Sequence, residues 1–185
     1  MPFTETTSDP IHVANMRLAL SVAQQSTYVP TAFCVGCVLT TSPDNPTWPN
    51  RVLVTGFSRE LPGNTHAEQC ALDKVSSMRE WNGVKLDDGR GGQDERERLL
   101  RGAVCYTTME PCSQRLSGNV PCVERILETG IETIVVGVEE PKDFVECEGT
   151  RILRERGRTV LRVVDPNDPL LGDKCLKVAR GESIS

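Results

Sequence analysis

Three short fragments of the 185-residue sequence hold side chains able to do chemistry together: His66-Ala67-Glu68, Pro111-Cys112 and Pro121-Cys122. One imidazole and two thiolates make a good zinc ligand set. Three protein ligands leave the fourth tetrahedral position to water, the arrangement of a catalytic site and not of a structural one. Zinc lowers the pKa of such a water to about 7, so a hydroxide nucleophile becomes available at neutral pH. Protons must then be moved, and Glu68, two residues from the histidine, is the nearest acid or base. Each fragment alone is a weak signal. A histidine beside a carboxylate is commonly an ordinary polar group, and two cysteines with nine residues between them are commonly just buried. Their joint occurrence, with each ligand where a helix is expected to begin, points to a metal.

The elements around these residues support that placement. Thr65 is expected to cap a helix from about His66 to Met78 with Ala67, Ala71, Val75 and Met78 on its apolar stripe, and the prolines before Cys112 and Cys122 mark two more helix starts. The positive end of a helix lowers thiol pKa and favours thiolate ligands. Residues i and i+2 do not share a helix face, so His66 and Glu68 meet at one metal only if it lies over the open end of the helix. Other thiols compete. Cys70, four residues beyond His66, is either a further ligand or a core residue beneath the site. Cys34-x-x-Cys37 has knuckle-like spacing, but residues three apart on a strand face opposite ways. Cys105, Cys147 and Cys175 have no local partner and read as small core or surface residues.

Along the whole chain, a helix is expected from Pro10 after an Asp9 or Ser8 cap, with Val13, Met16, Leu20 and Ala23 on one face. Strands follow at Phe33 to Thr40 and Val52 to Phe57, joined by an irregular proline-rich connection, and then comes the helix from His66. Residues 81 to 102 read as a polar surface insertion with a short charged helix. Beyond it the chain alternates: strand Ala103 to Thr107, helix Val123 to Thr129, strand Thr133 to Val138, helix Thr150 to Arg156, strand Thr159 to Val164. That alternation argues for an α/β sandwich with parallel pairing among the later strands, in one catalytic domain of residues 1–164 followed by a tail, 165–185.

Composition narrows the partners. With 38% apolar and 25% charged residues, a net charge of -5 and 4% aromatics, the chain is ill suited to gripping a phosphate backbone and stacking bases, so a small molecule is favoured over nucleic acid. No apolar run is long enough to cross a bilayer and the N-terminal residues lack signal-peptide character, so a cytoplasmic location with reduced thiols is expected.

The His-x-Glu and paired Pro-Cys motifs resemble those of the zinc-dependent cytidine/deoxycytidylate deaminase superfamily, although that signature spaces its cysteines by two residues and this chain by nine. TTMEPCSQRLSGNVPCVERILETGIETIVVGVEEP looks like the riboflavin-pathway deaminases, and NTHAEQCAL with RLSGNVPC is most similar to their fungal branch, over roughly residues 33 to 164. The resemblance implies a cytidine-deaminase-like three-layer α/β/α sandwich with a central mixed five-stranded sheet, zinc on His66, Cys112 and Cys122, and Glu68 as proton shuttle. It also implies a homodimer and hydrolytic deamination of 2,5-diamino-6-(ribitylamino)-4(3H)-pyrimidinone 5'-phosphate to the corresponding 5-amino-6-(ribitylamino)uracil phosphate and ammonia. In bacterial relatives the segment between the cysteines contacts the substrate phosphate. Here its one cation is Arg115, with Ser117 and Asn119 as further donors. An arginine fork suits phosphate, though an exposed surface arginine is the plain alternative. Asn64 is expected either to touch the pyrimidine or ribityl group or to serve a turn.

Bacterial relatives tend to carry Asn-Pro before a Val-Gly pair where this chain has Ala32-Phe33-Cys34-Val35-Gly36, so Phe33 either stacks on a base or lies in the core. No nicotinamide fingerprint is visible, so the reductase partner of bacterial fusions is not expected within this sequence. Two rivals remain: a cytidine or deoxycytidylate nucleotide deaminase, and a non-catalytic zinc-binding subunit. The second predicts a missing acid, and Glu68 is present.

Overall fold

The computed structural model describes residues 5–86, 93–115, 117–139 and 148–184. Its first long helix starts as the sequence dictates: Asp9 Oδ1 accepts the Ile11 N–H at 2.8 Å and Pro10 takes the first helical position. In chain order the elements are β1 (Thr6–Thr7), α1 (Pro10–Ala23), β2 (Gly36–Thr40), β3 (Val52–Phe57), α2 (Ala67–Ser77), β4 (Glu80–Trp81) and β5 (Val84–Lys85). Then come α3 (Gln93–Leu100), β6 (Val104–Met109), α4 (Cys122–Leu127), β7 (Thr133–Val138), α5 (Gly149–Glu155), β8 (Thr159–Val163) and α6 (Leu171–Ala179).

The main sheet runs β1-β8-β7-β6-β2-β3, with β6, β7, β8 and β1 parallel and β2 antiparallel to both of its neighbours. It is mixed, as expected, but has six strands where five were expected. The extra one is β1, which pairs Thr6 with Arg162 and Thr7 with Val163 along the outer side of β8. Two residues are too short to show a two-residue alternation, so the sequence carried no sign of it.

Alternation along the strands divides the core into two faces. Val38, Val104, Tyr106 and Val135 point toward α1 and α6, meeting Met16, Ala19, Leu20, Leu171, Cys175 and Val178. Cys37, Leu39, Cys105, Ile134 and Val136 point the other way, beneath Ala71, Leu72 and Val75 of α2, Val123 and Ile126 of α4, and Leu153 of α5. The class is therefore the expected three-layer α/β/α sandwich.

Two segments differ from the sequence expectation. The polar stretch at 81–102 is not wholly solvated: Leu86, Leu99 and Leu100 are buried in the α2-side core, and Trp81 packs edge-on against Trp48 of the 41–51 connection with centroids 5.2 Å apart. Residues 87–92 of that stretch, and Cys147, lie outside the described residues. The segment read as a tail from Asp165 carries α6, whose Leu171, Cys175, Val178 and Ala179 are buried against α1 and the sheet. Among the described residues, no helix is long and apolar enough to cross a membrane.

Candidate metal centre and active site

The first turn of α2, the loop after β6 and the start of α4 converge at the C-terminal end of β6, on the α2 face of the sheet. Gly56 allows this: a Cβ there would collide with the carbonyl of Ala67, so β3 accepts α2 at close range only with glycine. His66 is the N-cap of α2, with extended backbone (φ -85°, ψ 160°), and Glu68 is in the first turn. This resolves the i, i+2 difficulty, because His66 is outside the helix and its ring turns back over the open end. Thr65 is not the cap. Its hydroxyl donates to the Leu61 carbonyl at 2.7 Å and receives the Cys70 thiol at 3.1 Å, which leaves Cys70 in the core and outside the cluster.

Cys122 opens α4 as expected, but Cys112 does not begin a helix: it lies in the irregular loop after β6. The helix effect reaches it from a neighbour. The Cys122 N–H donates to Cys112 Sγ at 3.4 Å and the Val123 N–H to the Cys112 carbonyl at 3.2 Å, so the unpaired first donors of α4 hold the Cys112 loop. Residues 148–150 hold its other side. Thr150 donates through both N–H and hydroxyl to Glu110 Oε1 at 2.9 Å, and the Glu148 N–H donates to Ser113 Oγ at 3.2 Å. A Cβ on Gly149 would strike the Pro111 carbonyl.

The donor atoms of His66, Cys112 and Cys122 lie within 4.8 Å of one another, and among the described residues no fourth potential ligand joins them. His66 Nδ1 is 3.4 Å from Cys112 Sγ and 3.6 Å from Cys122 Sγ. Tetrahedral zinc with Zn–S of about 2.3 Å and Zn–N of about 2.0–2.1 Å separates N and S by about 3.6 Å, so the cluster has the dimensions of a three-ligand zinc site. The electrostatics agree. The Cys112 thiol is lowered to about 4, first by the hydrogen bond from Cys122 Sγ and, against the cost of burial, by the His66 ring and the Cys122 N–H. The same contact and full burial push Cys122 upward, and a bound cation would favour the deprotonated form of both thiols.

Glu68 is 3% exposed, and burial raises its pKa, helped by the nearby Cys112 and opposed by His66 and Thr107. Thr107 of β6 donates its hydroxyl to Glu68 Oε1 at 2.9 Å, and Cys122 Sγ lies 3.4 Å from Oε2. A buried carboxyl with an elevated pKa beside three metal donors is placed to take up and return a proton.

Asn64, His66, Glu68, Cys112, Arg115 and Ser117 line one cleft, with Phe33 on its wall. Asn119 does not belong to it. That residue is exposed, beyond the left-handed turn at Gly118 (φ +77°). Arg115 is not a free surface arginine: Nη1 donates to Gln69 Oε1 and Nη2 to the Asn64 carbonyl, each at 2.7 Å. Sequence reasoning missed Gln69, Glu110 and Arg59. Arg59 borders the cleft and donates to the carbonyls of Thr27 (2.6 and 3.1 Å) and Phe33 (3.1 Å), tying the cleft wall together. Cys34 Sγ accepts from Arg59 at 3.2 Å, whereas Cys37 Sγ lies 3.7 Å from Cys105, so the Cys34-x-x-Cys37 pair does not chelate.

The sequence profile of the cytidine and deoxycytidylate deaminase zinc-binding region matches residues 10–138, a span that contains His66, Glu68, Cys112 and Cys122. The chain belongs to this family. Within it, a diaminohydroxyphosphoribosylamino-pyrimidine deaminase of Schizosaccharomyces pombe is 36% identical over 160 residues, covering 86% of this chain and 34% of the relative. The chain thus spans about a third of that curated relative's length. Among solved deaminase structures, the Aspergillus oryzae Rib2 deaminase, a C-terminal deletion mutant in complex with DARIPP, is 33% identical with a TM-score of 0.68, covering 92% of this chain and 91% of that one. A deaminase/reductase of Thermotoga maritima is 25% identical with a TM-score of 0.65, covering 91% of this chain and 39% of that one. The family's cofactor is zinc, which the sulfur and imidazole donors found here suit.

Proposed function

We propose that this chain is a zinc-dependent hydrolytic deaminase of riboflavin biosynthesis, converting 2,5-diamino-6-(ribitylamino)-4(3H)-pyrimidinone 5'-phosphate and water to 5-amino-6-(ribitylamino)uracil 5'-phosphate and ammonia. The observation that carries this reading is the convergence of His66 Nδ1, Cys112 Sγ and Cys122 Sγ beside the buried carboxyl of Glu68, at the floor of a cleft bordered by Arg115. The likeness to deaminases of this pathway supports the substrate class.

His66, Cys112 and Cys122 are the zinc ligands. Zinc supplies Lewis acidity, making water a nucleophile at neutral pH and stabilising charge that develops on oxygen. Glu68 accepts the proton that the attacking water loses and passes it to a ring nitrogen, then takes the hydroxyl proton of the tetrahedral adduct and delivers it to the departing amine, so that a C=O bond replaces the C–N bond and ammonia leaves. Burial keeps Glu68 readily protonated, and the Thr107 hydroxyl fixes its Oε1. Arg115 binds the substrate phosphate through its remaining donors. Ser117 and the Asn64 side chain, which also line the cleft, serve the ribityl or ring polar groups. The protein acts as a cytoplasmic homodimer, an assignment that light scattering on purified protein tests for oligomeric state.

The deciding assay follows ammonia release from the ribitylamino-pyrimidinone phosphate, its phosphoribosylamino counterpart, cytidine and deoxycytidylate, with zinc quantified in parallel. Turnover of the ribityl compound with one zinc per chain supports the reading. Turnover confined to the nucleotides replaces the substrate, and no turnover of any by the zinc-loaded protein removes the catalytic assignment.

A further inference from the structure

Gln69 directly follows the proposed proton shuttle on α2 and is 9% exposed, yet it is not part of the metal cluster. Its Oε1 instead accepts Arg115 Nη1 at 2.7 Å across a sequence separation of 46 residues. The second acceptor on Arg115, the carbonyl of Asn64, is presented by two successive left-handed residues, Gly63 (φ +94°) and Asn64 (φ +53°). A non-glycine residue adopts that conformation at a cost, so the turn is held by its surroundings.

Both acceptors are neutral. Arg17, Arg125 and Arg151 instead bond to carboxylates, whereas Arg59 on the same cleft is, like Arg115, held by carbonyls, those of Thr27 and Phe33. Among the described residues Arg115 is therefore fixed in place without losing its charge. A guanidinium has five N–H donors, and the two bonds leave three for a ligand in the cleft. Fixing a flexible side chain before binding removes the entropy loss that binding would otherwise incur, and an uncancelled cation keeps its full attraction for an anion.

We propose that Gln69 is a positioning residue that locks Arg115 as a preformed receptor for the substrate phosphate, and so sets the preference for phosphorylated over dephosphorylated substrate. This rests on the reading of Arg115 as the phosphate ligand. An acidic residue at position 69 would hold the guanidinium equally well but neutralise it. A neutral acceptor satisfies both requirements.

The test measures kcat and KM for the ribitylamino-pyrimidinone phosphate and its dephosphorylated form, with inorganic phosphate as competitive inhibitor, on zinc-loaded Gln69→Met, Gln69→Glu, Arg115→Met and the Gln69→Met/Arg115→Met double variant. Gln69→Met is expected to raise KM for the phosphorylated substrate and the inhibition constant of inorganic phosphate about tenfold, with kcat and the KM of the dephosphorylated form within about twofold of wild type. Gln69→Glu raises them at least as far, and should Gln69→Met fail to fold, this variant carries the test. The double variant is no worse than Arg115→Met alone, since Gln69 acts through Arg115. If Arg115→Met raises the phosphorylated KM but neither Gln69 variant does, the positioning role is overturned and the phosphate reading stands. If Arg115→Met changes nothing, the phosphate reading itself fails. Equal loss on both substrates in the Gln69 variants marks a general structural role and overturns the proposal.

Discussion

At the scale of residues, the site separates holding a metal from moving a proton. Glu68 lies outside the three-donor cluster while sharing its burial, so Glu68→Gln is expected to retain zinc and lose activity by about 10²–10⁴-fold. Zinc analysis beside the kinetics checks this, and loss of metal in that variant would contradict the division. Thr107 tunes the same carboxyl, because its hydrogen bond pulls the Glu68 pKa down against burial. Thr107→Val removes that pull, so Glu68 stays protonated to higher pH and the acid limb of kcat/KM moves upward, with activity at its midpoint falling about tenfold. Thr107→Ser should restore both, and a pH–rate profile of the three proteins decides. His66, Glu68, Cys112 and Cys122 were legible in the sequence because a His-x-Glu and two Pro-Cys fragments occurring together form a recognisable metal-ligand set. Gln69 and Glu110 were not, because they are ordinary residue types whose partners, Arg115 and Thr150, lie 46 and 40 residues away.

At the scale of elements, helix ends build the site. The order of strands and helices was readable from periodicity and breakers, and α1, β3 and β7 fall where the pattern puts them. Cys112 misled because a proline before a cysteine is equally at home in a loop, and what draws the residue into place is the start of α4, ten residues on. The tail misled for a different reason: Leu171, Cys175 and Val178 have helical i, i+4, i+7 spacing, but the turn-rich DPNDP before them masked it. The N-terminus of α5 supports the ligand loop by direct contact, which yields a prediction that the loop alone would not. Gly149→Ala should push the Pro111 carbonyl away and loosen Cys112, weakening zinc binding by about 10–100-fold. Competition with a chromophoric chelator measures this without reference to turnover, and unchanged affinity would show that Cys112 is held by α4 alone.

At the scale of the whole molecule, the sheet separates a face that does chemistry from a face that supplies stability. Asp165, just beyond β8, closes the second face by joining it to α1: its carboxylate accepts Arg17 Nε at 2.7 Å and the Asn167 N–H at 2.9 Å. Burial pushes its pKa up, but the Asn167 N–H and then Arg17 outweigh that and leave it below the ordinary value. A depressed folded pKa stabilises the protein above the unfolded value of about 3.9 and ceases to do so as pH falls through the folded value. The Tm of wild type should therefore exceed that of Asp165→Asn at pH 7, and the gap should close below about pH 4, as scanning calorimetry across that range would show. Leu171 tests the separation of faces more directly. Its side chain is 2% exposed under α6, against the sheet surface opposite the metal cluster. Leu171→Ala should cost about 2–5 kcal/mol through lost burial and a residual cavity. Well below its lowered Tm, the variant should nevertheless bind zinc and substrate as wild type does, because Leu171 packs in the cluster with Val13, Met16 and Val135 and not in the α2-side cluster. The outcome that breaks this argument is a Leu171→Ala protein that is folded by circular dichroism but has lost zinc or raised its KM, since strain would then be passing through β6 from one face to the other.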